Sequence, residues 1–227
     1  MFLRYPWESS PRREHKHTLA LGPFYADRFP VTCANYSAFL RSSGYAPSDT
    51  HNWLKSWEFE NGGAVLPAAL SDKPVTYVGL SEARGYCKWA GGRLPYSYEW
   101  SYMAQGNDGR EYPWGQQDDE TCRPKSTAGN VYRGPEAVTA HSSPRCESPF
   151  GIADLVGNTW EYTDEFRDKH TRAALLRGGS NYNLHSHGGW YFPVELGLTK
   201  HQKYHLMDDS YERAGTIGFR CIYDVAQ

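Results

Sequence analysis

The stretch GIADLVGNTWEYT, residues 151–163, holds two short strand-like runs, 152–156 and 160–163, on either side of a Gly-Asn-Thr step. Strand-like runs of similar length recur downstream at 174–177 and 216–223. Upstream, residues 106–150 are mostly Gly, Pro, Asn, Asp and Ser. Compact domains rarely carry that much irregular chain without a bound ion or a ligand-binding role. Short strands embedded in irregular chain are therefore expected to dominate the second half.

The first half reads as helical. Residues 19–27 contain β-formers and are expected to be a strand. Thr32 is placed to cap a helix from 33 to about 42, with Tyr36, Phe39 and Leu40 on one face and Gly44 ending it. Residues 46–73 have no clear period and read as a long loop, and 74–78 as a short strand. Ser81 is expected to cap a helix over 82–90 with Ala83, Tyr86, Cys87 and Ala90 inward, stopped by Gly91 and Gly92. A third short helix is expected after Pro95, over about 97–104.

The bulk numbers fit one domain spanning 1–227, with 1–16 as a flexible arm. The chain is 39% apolar and 22% charged. It has no run of about 18 apolar residues, so no membrane helix is expected. Residues 1–15 turn polar within five positions and lack the apolar stretch of a secretory signal. A soluble protein, monomeric or homodimeric, is expected, and the residues assign no compartment. Net charge is −2, and the one basic group, Arg12, Arg13 and Lys16, is too small to follow a phosphate backbone, so no nucleic-acid partner is expected. The 22 glycines and 14 prolines break up long elements, while the 8 tryptophans and 17 tyrosines can fill a core between loops.

Four signatures follow one another in order: PFYADRFPVTCANYSAFL (23–40); PVTYVGLSEARGYCKWAGGRLPYSYEW (74–100) with YPWG (112–115); GIADLVGNTWEYT (151–163); and LLRGGS (175–180), closed by GTIGFRC (215–221). Together they resemble the sulfatase-modifying factor, or formylglycine-generating enzyme, family over nearly the whole chain. The resemblance implies an α+β, C-type-lectin-like fold with short helices, twisted antiparallel strands and much irregular loop.

It also implies a disulfide between Cys87 and Cys221. Cys122 and Cys146 are candidates for a second bridge, and Cys33 reads as a small buried hydrophobe. In the active enzymes two cysteines shortly after RGGS hold copper as thiolates and activate oxygen. Here that stretch is RGGSNYNLHSHGG, and the matching positions are Asn183 and Gly188. Neither supplies the soft sulfur ligand that suits Cu(I), so formylglycine synthesis is not expected. The family's structural calcium implies ligands at the Asp154 side chain, the Gly157 and Thr159 carbonyls and the Glu161 carboxylate. Mixed carboxylates and carbonyls are what calcium takes. A second family calcium would use Asn130 and the Val131 carbonyl, in a loop that is shorter here.

The pocket left where copper would sit is expected to involve Ser180, Asn183, His185 and His187. Tyr182, Asn183, His185, Trp190 and Tyr204 are the candidate ligand-binding residues, since aromatic faces stack on sugars and polar groups orient a ligand. The expected role is a binding module with structural calcium, taking a small polar ligand, a glycan or a protein segment. His185 and His187 form an HxH, and His201 and His205 an HxxxH that shares a face if helical. The alternative is thus an Fe or Cu oxygenase using these histidines in place of the cysteines. A second alternative is a regulatory partner of an active formylglycine-generating enzyme.

Overall fold

A computed structural model describes residues 18–124, 134–166, 173–182, 202–205 and 213–225, with 202–205 by backbone alone. The loop-rich α+β architecture is the one expected. The order is β1 (Phe24–Ala26), α1 (Cys33–Ser43), β2 (Glu58–Glu60), β3 (Gly63–Val65), α2 (Leu80–Trp89), α3 (Ser97–Gln105), β4 (Trp160–Phe166), β5 (Ala174–Arg177), β6 (Gln202–His205), β7 (Ile217–Gly218) and β8 (Ile222–Asp224). The largest sheet runs β6-β5-β4-β7, with β7 parallel to β4 and the other pairs antiparallel. β1 pairs with β8, joining the two ends of the domain.

Helix α1 forms where local chemistry asks for it. The Thr32 hydroxyl accepts from the Asn35 N–H, and Gly44 closes the helix in the left-handed region at φ 64°. Its inner face carries Tyr36 and Phe39, whose rings meet Tyr86 of α2 at 5.8 and 5.6 Å. Full burial of such side chains stabilises by about 1.5–3 kcal/mol each. The core they enter also holds Trp160 and Tyr162 of β4, Leu176 of β5 and Ile217 of β7. A second cluster gathers Trp100 and Met103 of α3 with Ile152, Leu155 and Val156.

Several local expectations are corrected. Ser81 lies inside α2; the N-cap is Gly79, and the Glu82 carboxylate accepts its N–H. No regular strand forms over 74–78 or 152–156, because Tyr77 and Asp154 turn the chain at φ 57° and 53°. Within the expected loop 46–73, β2 and β3 form a hairpin. Its Asn61-Gly62 turn has φ 49° and 81°, the two positive angles of a type I′ turn. The strand expected over 216–223 is two strands, β7 and β8, and that over 19–27 shrinks to β1.

Two disulfides staple the loops. Cys87 of α2 joins Cys221 just before β8, with Cα atoms 5.5 Å apart, and Cys122 joins Cys146 across the irregular region. Cys33 is free and buried. No helix among the described residues is long and apolar enough to cross a membrane.

Candidate functional site

Two of the quoted signatures dock on each other. Arg177 ends β5 fully buried, its Nε donating to Ser97 Oγ at the start of α3 at 2.8 Å. Gly178 and Gly179 then turn at φ 92° and 76°. A Cβ on Gly178 would lie 2.6 Å from the Leu155 carbonyl oxygen, so only glycine lets the chain pass. The Gly178 carbonyl accepts from the Gly157 N–H at 3.0 Å, and Asn181 N–H reaches the Asn158 carbonyl at 3.4 Å. The RGGSN segment is thereby seated on the Gly-Asn-Thr step of residues 157–159. Ser180 is buried, and Tyr182 is half-buried beyond it.

Beneath that seat lies a buried ion pair. Arg220 Nε and Nη2 donate to the two Glu161 carboxylate oxygens at 2.8 and 2.7 Å, and the Trp100 indole N–H donates to Glu161 Oε2 at 2.7 Å. Arg220 Nη1 reaches the Asp27 and Arg28 carbonyls, and Nη2 those of Ala153 and Asp154, all at 3.2 Å. One guanidinium thus ties β4, the turn at Asp154 and the segment after β1. Both charged groups are fully buried. Their donors and acceptors are satisfied, the condition under which a buried pair is tolerated.

Of the four expected calcium ligands, Asp154, Gly157, Thr159 and Glu161, the last already has an ion-pair partner. Its carboxylate is neutralised by Arg220, a cation already in place. Asp154 fits better. Its side chain accepts from the Asn158 amide at 2.9 Å. Burial of the carboxyl raises its pKa well above the ordinary value, against the opposing effects of the Asn158 hydrogen bond and Arg220. A carboxyl so placed is one that a bound cation would relieve. The Thr159 hydroxyl is also buried with no hydrogen-bond partner. Asn158 holds the turn from the far side by a reciprocal pair, accepting the Glu136 N–H at 2.9 Å and donating to the Glu136 carbonyl at 3.1 Å.

Of the remaining candidates, Asn183, His185, His187, Trp190 and His201 lie outside the described residues, as do Asn130, Val131 and residues 1–16. Tyr204 and His205 sit in β6, described by backbone alone. Gln202–His205 pairs with β5 as a strand, and His201 precedes it outside the described residues. Among the described residues no group of three or more His, Cys, Asp or Glu converges on a metal position.

Reading the sequence missed Arg220, Asn158 and Trp100 as the frame of this site. The Glu161–Arg220 contact joins residues 59 apart and has no local signal. The Arg in GFRC was visible only as part of a signature.

Comparison with known proteins adds the following. Residues 5–225 match the model of the sulfatase-modifying factor enzyme 1-like domain. A formylglycine-generating enzyme of Mycobacterium tuberculosis is 25% identical over 94% of this chain and 92% of its own length. A Bos taurus protein named inactive C-alpha-formylglycine-generating enzyme 2 is 30% identical over 70% of this chain and 65% of its own. The chain spans about half of some relatives, 47% in the case of an uncharacterized Bacillus subtilis protein. Among solved structures, CarF superposes with TM-score 0.65 at 18% identity, covering 92% of this chain and 89% of that one. That likeness is one of fold.

Proposed function

Since the chain belongs to the sulfatase-modifying factor enzyme 1-like domain family, we propose that it is a divergent member that does not make formylglycine and serves as a binding module. The cysteine inventory carries this reading. The chain has 5 cysteines. Four are bridged in pairs, and the fifth, Cys33, is buried on α1, where burial pushes its thiol up to about 12. Copper chemistry of the family's kind needs two adjacent thiolates, and no second free thiol stands beside Cys33. The relative named as inactive is in keeping with loss of the activity on this scaffold.

The binding surface proposed begins at Ser180 and Tyr182, on the segment held by Gly178 and Asn158, and continues into the polar and aromatic residues that follow in sequence. A small polar molecule, a glycan or an exposed protein segment suits that composition. Incubation with a cysteine-containing sulfatase peptide, copper and oxygen is expected to leave the peptide mass unchanged; its conversion to the aldehyde would overturn the proposal. A glycan and peptide array read with wild type and Tyr182→Ala tests the positive half, the variant losing the signal.

Calcium at the Asp154 turn belongs to the same proposal, with Asp154 and the Gly157 and Thr159 carbonyls as ligands and Glu161 held by Arg220. Its role there is structural. Adding EGTA to calcium-loaded protein is expected to lower the melting temperature by several degrees, as removal of any ligand specific for the native state does. An unchanged melting curve counts against the site.

A further inference from the structure

A cavity of about 240 Å³ opens between the start of α1, the segment 70–77 and the loop at Gly134–Pro135. Ser56 and Gly215 complete its lining. Cys33 lies at its inner wall, where the thiol donates to the Pro74 carbonyl at 3.6 Å. Tyr77 forms one side in a left-handed backbone conformation at φ 57°, which for a non-glycine residue costs about 1–2 kcal/mol and persists only when its surroundings enforce it. They do so here. The Tyr77 N–H donates to the Ala214 carbonyl at 3.1 Å, and its ring lies over Gly215, where a Cβ would come within 2.8 Å of it.

The chemistry of the walls is one-sided. Leu70, Pro74, Pro135 and the Tyr77 ring supply apolar surface. Lys73, with the hydroxyls of Ser56 and Thr76, supplies polar groups, and no carboxylate lines the cavity among the described residues. Lys73 is half-buried and forms none of the ion pairs found among the described residues. Its charge acts on the Cys33 sulfur, opposed there by that of the neighbouring Asp72. A dry cavity of about 150 Å³ holds one benzene, so this one holds a ring or branched alkyl group with a short polar extension.

We infer that this cavity binds a small monocarboxylate with an aryl or branched alkyl body, its carboxylate on Lys73 and its body between Tyr77 and Pro135. The inference does not rest on the proposed binding-module role, since its lining residues do not include Ser180 or Tyr182. One cation, hydroxyl donors and apolar walls select a single negative charge on a compact hydrophobic body.

Titration of the full chain with 3-phenylpropionate tests it, with 3-phenylpropanamide as the neutral control and Cys33 as reporter. Saturable binding of the acid at millimolar or lower concentration is expected, together with slower modification of Cys33 by methyl methanethiosulfonate. Lys73→Met is expected to weaken the acid about tenfold or more, the value of a charge-assisted hydrogen bond, and to leave the amide unchanged. Absence of saturable binding, equal acid affinity in Lys73→Met, or binding that leaves Cys33 modification unaffected would each overturn the assignment. The Cys33 readout uses wild-type protein, so it stands even if the variant folds poorly.

Discussion

Replacing Cys87 and Cys221 together by alanine is expected to remove about 5 kcal/mol of stability and to lower the melting temperature by about 10–20 °C. The magnitude follows from topology. The bridge joins residues separated by 134 positions, and in the chain-entropy model the constraint on the unfolded state grows with the logarithm of loop length. Cys122–Cys146 closes a separation of 24 and is expected to contribute about 3.5 kcal/mol by the same relation. The order of the two effects is the sharper prediction. The long bridge also fastens α2 to the chain entering β8, the strand that pairs with β1. Its loss frees one end of the domain from the other. Urea unfolding of the two double variants measures both values. Equal stability of wild type and Cys87→Ala/Cys221→Ala would show that the pair is not bonded in solution.

Glu161→Gln is the second large perturbation. It leaves the Arg220 guanidinium fully buried without its paired carboxylate, and breaking a buried pair in this way costs about 3–5 kcal/mol. Arg220→Met costs a similar amount. It strands the Glu161 carboxylate and four backbone carbonyls that the guanidinium serves. The double variant is expected to lose much less than the sum of the singles, because each removes the charge that makes the other costly. Trp100 keeps an acceptor in that variant, since the Gln side-chain oxygen can replace Glu161 Oε2. Strict additivity in a double-mutant cycle would mean that the two groups are not coupled in solution.

What could be read in advance followed how local its causes are. Thr32, Gly44 and the Tyr36–Phe39 spacing lie within one stretch, and α1 appeared within a residue of its expected end. The Asn61-Gly62 pair was an equally local hairpin signal. It went unread because its strands are three residues long, too short for alternation to show. Tyr77 and Asp154 were unreadable for a different reason. Nothing in a tyrosine or an aspartate announces a positive φ; at Tyr77 the angle is enforced by contacts with Ala214 and Gly215, far along the chain. The same holds at the site. Resemblance named the glycine step and the Glu161 position, whereas the partner that neutralises Glu161 depends on a contact across 59 residues. The spacing at His205 carried no sign of the pairing with β5 that makes Gln202–His205 a strand.

Counting thiols and titrating Cu(I) on the same unreduced protein tests most directly whether this chain can present a thiolate pair. One thiol per unfolded chain is predicted, that of Cys33, with no Cu(I) retained against a competing chelator by the folded protein. Two or more thiols, together with tight one-to-one Cu(I) binding that is lost when cysteine is replaced, would contradict it.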